Sequence, residues 1–94
     1  MTSSHIDQPH KALIFSHHER HQLLRLCTRL TGDLVAADDL VQETLLTAWQ
    51  RLDQLTDPGG VSAWLATIAR NHYRHWVRSR SRRRKYIVAP EMAA

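Results

Sequence analysis

The residues of this chain that could do chemistry fall in two blocks of opposite character. The first, Asp38-Asp39-Leu40-Val41-Gln42-Glu43-Thr44, offers carboxylates and an amide; the second, Trp64-Leu65-Ala66-Thr67-Ile68-Ala69-Arg70-Asn71, runs on into Arg74, Arg78 and an arginine tract. On a helix, Asp39, Gln42, Glu43, Leu46 and Gln50 share one face, and Thr67, Arg70, Asn71, Arg74 and Arg78 line up at steps of three or four on another. Carboxylates beside an amide can accept and donate hydrogen bonds to a partner, where planar pairs give registry as well as energy. Arginines on one face suit phosphates.

Charge follows the same division. Between Asp33 and Asp57 stand six acids and one base, Arg51, whereas Arg70 to Lys85 holds eight bases and no acid. The net charge of +4 is the remainder of these opposed blocks, and their asymmetry speaks about partners more than the total does. Taken singly, each block also reads as a solvated helix face, with acids favourable near a helix N-terminus.

Ninety-four residues make one domain, and 43% hydrophobic against 23% charged residues is a folded rather than a disordered composition. A single cysteine, Cys27, sits among Leu23, Leu24, Leu26 and Leu30 and reads as a buried thiol in a reducing compartment. No apolar run approaches the roughly 20 residues of a membrane span, so a cytoplasmic protein is expected. His17, His18 and His21 flank Glu19, but His18-Glu19-Arg20-His21 is one residue short of the zincin spacing, and solvated histidines are the simpler reading. No glycine-rich phosphate loop and no nucleophile with a matched base is present, so neither catalysis, a metal nor a cofactor is expected.

The elements that must carry these blocks are helices, since no stretch alternates apolar and polar residues cleanly. An all-α, compact three-helix domain is expected over 11–84, with a flexible N-terminus over 1–10 and the start of a linker over 85–94. The first helix is predicted from about Pro9 to Thr31, closed by Gly32, with Ala12, Phe15, Leu23, Leu26, Cys27 and Leu30 inward. Asp33 caps a second helix reaching about Leu52, with Val41, Leu45, Ala48 and Leu52 inward. Asp57-Pro58-Gly59-Gly60 forces a break, leaving Asp53 to Gly60 as an exposed loop. A third helix runs from about Val61 to Arg80 or beyond, burying Val61, Leu65, Ile68, His72 and Trp76, while Pro90 argues against helix after Arg84.

Leu30-Thr31-Gly32-Asp33, Ala37 through Trp49, and Ala63 through Asn71 together resemble region 2 of bacterial extracytoplasmic-function (ECF) sigma factors over roughly Phe15 to Arg84. The resemblance implies transcription initiation: a domain that binds the clamp helices of the RNA polymerase largest subunit and recognises and melts the −10 promoter element. By position, Asp39, Gln42 and Glu43 match the polymerase-binding residues, with Leu46 and Trp49 as apolar supports. The loop between the second and third helices would capture a flipped base of the non-template strand, with Gln54 and Thr56 reading its edge and Leu55 as a pocket wall, although the family commonly carries an aromatic at Leu55. Asn71 matches the family asparagine that shapes this pocket, and Arg70, Arg74, Arg78 and Arg80 would meet phosphates. Trp64 stands where primary sigma factors carry melting aromatics, but its spacing favours the core.

One departure is His75, which replaces a family-typical acid, and another is length, since complete members add a linker and a helix-turn-helix domain. The chain is expected to be an excised domain. An anti-sigma factor is an implied further partner. The alternatives are a helical protein-interaction module of the anti-sigma docking kind and a basic domain that binds nucleic acid by charge alone.

Overall fold

The computed structural model describes the backbone of residues 14–93 and the side chains of residues 14–81. Over this range it is all-α, with helices α1 (His17–Thr31), α2 (Leu34–Gln50) and α3 (Val61–Ala93) and no strand; two short 3-10 turns, Leu52–Gln54 and Pro58–Gly60, join α2 to α3.

Helix α1 starts later than its apolar pattern suggested. Ser16 is extended (φ −64°, ψ 151°) and its Oγ accepts from the Glu19 amide at 3.2 Å, the first half of an S-x-x-E capping box. This cap satisfies an amide that a helix running through from Pro9 would have paired internally; Pro9, Ala12 and the expected flexible segment 1–10 lie outside the described residues. At the other end Gly32 takes φ 70°, open to glycine without a Cβ penalty, and its amide closes on Thr28 O at 2.8 Å. Asp33 then caps α2 directly, its Oδ1 accepting from the Val35 amide at 3.2 Å. One residue therefore separates the left-handed stop of α1 from the start of α2, which keeps the two helices adjacent.

The core is where the three helices converge: Leu23 and Cys27 from α1, Ala37, Leu40, Val41, Leu45 and Ala48 from α2, and Val61, Leu65, Ile68 and Ala69 from α3. Leu26, Leu30, Leu52, Trp64 and Tyr73 pack against it half-buried, so Trp64 is a core-edge residue as its spacing indicated. Phe15, expected inward, is half exposed because the chain leaves the helical path at Ser16, and its ring instead meets Trp49, 5.6 Å between centroids. His72 and Trp76 are only half-buried.

The α2–α3 connection is less open than its composition implied. Leu55, between the two 3-10 turns, is buried in the core and anchors the loop from beneath. Asp57 Oδ1 accepts from the Gly59 amide at 3.0 Å, and a Cβ at Gly59 would stand 3.3 Å from that same oxygen, so the turn favours glycine. Helix α3 also continues where an end was expected: its backbone stays helical through Pro90 to Ala93. Proline forfeits one amide hydrogen bond, but its fixed φ is compatible with helix, and the arginines, lysine and alanines around it are good helix formers.

Candidate polymerase and nucleic-acid interfaces

The outward face of α2 is held by its neighbours rather than left as a loose set of charges. Asp38, Asp39, Gln42, Glu43, Leu46 and Trp49 are all exposed, as a stripe opposite Val41, Leu45 and Ala48 must be. Gln42 Nε2 donates to Asp38 Oδ2 at 3.0 Å, one turn back. Glu43 Oε2 lies 3.5 Å from His72 Nδ1 on α3. Beside this polar row an open groove is lined by Phe15, Arg20, Gln42, Leu45, Leu46 and Trp49. Leu46 and Trp49 are 59% and 43% exposed, an apolar floor flanked by acceptors. Such a surface suits a helix that brings arginines and apolar side chains together.

Helix α3 presents a different face. Arg70, Asn71, Arg74, Arg78 and Arg80 are exposed, and among the described residues none of these arginines has a carboxylate within 4.0 Å. Trp76 stacks on Tyr73 (centroids 5.8 Å apart, planes at 28°) and carries the Arg80 guanidinium 4.7 Å above its ring. This holds one guanidinium while leaving its N–H edges to solvent. A row of cations without carboxylate partners among the described residues is an electrostatic footprint for phosphates. In the preceding loop Gln54 and Thr56 are exposed, on either side of the buried Leu55. The side chains of Arg82, Arg83, Arg84 and Lys85 lie outside the described range.

Two interhelical contacts escaped the sequence reading. Glu19 is 92% buried, being 8% exposed, and both of its carboxylate oxygens accept from Ser62 Oγ at 2.8 Å, tying α1 to the start of α3 beneath a cavity that Arg29 and Arg70 also line. The S-x-x-E pattern was a signal for the cap, but the carboxylate serves the tertiary contact instead. The second contact is His72, whose Nε2 lies 2.7 Å from Thr47 Oγ1. A lone histidine on a half-apolar stripe gives no hint of its partner, because that partner is 25 residues away.

His17, His18 and His21 are exposed, and no group of three or more His, Cys, Asp or Glu side chains among the described residues is arranged to hold a metal ion. Cys27 is fully buried, and that burial pushes its thiol up to about 11, so it stays protonated and inert at neutral pH. Among the described residues no helix is long and apolar enough to cross a membrane.

Residues 15–83 match the family described as Sigma-70 region 2. Relatives include the ECF RNA polymerase sigma factors SigL of Mycobacterium tuberculosis, 52% identical over 50 residues (52% of this chain, 28% of SigL), and EcfG of Rhodopseudomonas palustris, 47% identical over 53 residues (56% of this chain, 29% of EcfG). SigG of M. tuberculosis is 46% identical over 52 residues, covering 55% of this chain and 14% of that protein. The chain thus spans less than a third of the length of the curated relatives it matches. No solved structure matches it significantly. With the family match running from the start of the Phe15–Trp49 contact to the arginine tract, across both the acidic face of α2 and the basic face of α3, this chain belongs to the Sigma-70 region 2 family.

Proposed function

We propose that this domain serves transcription initiation by docking through α2 on the clamp helices of core RNA polymerase while α3 and the preceding loop engage the −10 promoter element. The observation that carries the reading is the separation of surfaces: an acceptor-rich, part-apolar face on α2, and on α3 a row of arginines without carboxylate partners among the described residues. Asp39, Gln42 and Glu43 bind polymerase arginines, with Leu46 and Trp49 supplying buried apolar area at the centre. Arg70, Arg74, Arg78 and Arg80 neutralise promoter phosphates. Gln54, Thr56 and Asn71 contact an unstacked base of the non-template strand, over a loop supported by Leu55. The role is non-catalytic and belongs in the cytoplasm, where polymerase and promoter are; an anti-sigma factor would act by covering these same faces.

Binding of the chain to core RNA polymerase, compared with Gln42→Ala and with Asp39→Ala/Glu43→Ala, tests the reading. Losing charge-assisted pairs at a partly desolvated interface is expected to weaken binding by roughly ten- to thirtyfold in the double variant, with circular dichroism and DNA binding unchanged. If wild type fails to bind a polymerase that accepts another sigma factor, the docking reading is wrong.

A further inference from the structure

Five threonines lie within the described helices: Thr28 and Thr31 on α1, Thr44 and Thr47 on α2, and Thr67 on α3. Four of them donate their hydroxyl to the carbonyl four residues back, to Leu24 at 2.7 Å, Cys27 at 2.8 Å, Leu40 at 2.7 Å and Ala63 at 3.0 Å. Thr47 does not. Its Oγ1 is turned across the helix interface to His72 Nε2, 2.7 Å away. This contact fixes the plane of the ring, and with it the place of the other ring nitrogen, Nδ1. That nitrogen is the one 3.5 Å from Glu43 Oε2.

Two residues one turn apart on α2 therefore flank a single side chain of α3, Thr47 hydrogen-bonded to one ring nitrogen of His72 and Glu43 within 3.5 Å of the other. The His72 side chain is 29% exposed and so is held by its surroundings, whereas Glu43 is 65% exposed and would sample many rotamers without a partner. We propose that His72 is a positioning residue: with its ring held by Thr47, it fixes the direction in which Glu43 presents its carboxylate, so that α3 sets the geometry of a charge on the α2 face. The inference deepens, and rests on, the reading of α2 as the polymerase-docking face. Its consequence is that the two faces are linked in one covalent step, because His72 is the immediate neighbour of Asn71 on the nucleic-acid side.

The test uses the whole chain with isosteric replacements. Asparagine at position 72 puts an amide nitrogen near the place of Nδ1, glutamine puts one near Nε2, and leucine keeps bulk with neither. In the free protein, the Glu43 side-chain carbon resonances report the surroundings of its carboxylate. They are expected to stay near wild type in His72→Asn, and to move to those of a freely solvated glutamate in His72→Gln, His72→Leu and Thr47→Val. On core RNA polymerase, His72→Leu and Glu43→Gln are each expected to weaken binding about two- to fivefold, the range of an exposed charged contact, and the double variant no further than the stronger single one. His72→Asn should bind as wild type does. Glu43 resonances that ignore both His72→Leu and His72→Gln would overturn the positioning role, as would losses that multiply in the double variant. Resonances that respond in a chain that does not bind polymerase at all would uphold the positioning contact and remove the docking reading instead.

Discussion

The outward faces of α2 and α3 are both polar and both exposed, yet they are built on different principles. On α2 two of the acceptors meet a neighbour before any partner arrives, Asp38 accepting from the Gln42 amide and Glu43 lying beside His72, and they border an apolar groove. On α3 the arginines have no carboxylate partner among the described residues, and the one guanidinium that is held, Arg80, is held by the flat ring of Trp76 rather than by an anion. Preset acceptors around apolar area favour one docking geometry, because a displaced partner would leave them mispaired. Free cations tolerate many geometries and act through counterion release. Shape dominates the first face, and charge the second.

This contrast can be broken from below. Leu65 is 1% exposed at the junction of the three helices, so Leu65→Ala is expected to cost about 2–5 kcal/mol in denaturant unfolding and to weaken the proposed polymerase and DNA binding together. Retention of either activity at full strength, with stability reduced, would mean that the corresponding face does not depend on the shared core. A smaller and one-sided effect is expected on α3. Arg74→Ala/Arg78→Ala should lower DNA affinity by roughly tenfold at low salt, reduce the slope of log affinity against log salt by about 1.5 to 2, and leave polymerase binding unaltered. An unchanged slope would deny that these arginines meet phosphates.

The mildest effect separates both faces from what lies beneath them. With burial pushing the Cys27 thiol from 9.0 up to about 11, the native state holds this proton more tightly than the unfolded chain does. The linked stability is fully present below about pH 9 and is lost as pH rises from there through about 11. Thiol reagents at pH 8 should therefore label the folded protein far more slowly than the unfolded one, and Cys27→Ala should remove this part of the alkaline loss; rapid labelling without unfolding would place the thiol at the surface.

Much of this was legible in the chain. The apolar spacing of Val41, Leu45 and Ala48, and of Val61, Leu65 and Ile68, identified two buried stripes, and each stripe implied the exposed face opposite it. Gly32 and Asp33 marked a stop and a start, because a left-handed residue and a capping carboxylate act on the backbone beside them. The departures have equally local reasons. Ser16 and Glu19 form a cap inside what reads as an uninterrupted amphipathic pattern, which left Phe15 outside the core and against Trp49. Leu55 looks like a loop residue by its polar neighbours, but a single large aliphatic side chain between two tight turns is enough to anchor the connection.

The number of helices, most of their boundaries and the opposed charge blocks were legible in the sequence alone, and it nominated residues for each partner, since propensity, capping and periodicity depend on residues within a turn or two of one another. The tertiary structure decided which polar groups meet across helices: Glu19 with Ser62, 43 residues apart, and Thr47 with His72, 25 apart. Such pairings have no periodicity to betray them. They arise because α1, α2 and α3 close around one small core, and every buried or half-buried polar group at the seams must find whatever partner that closure brings within reach.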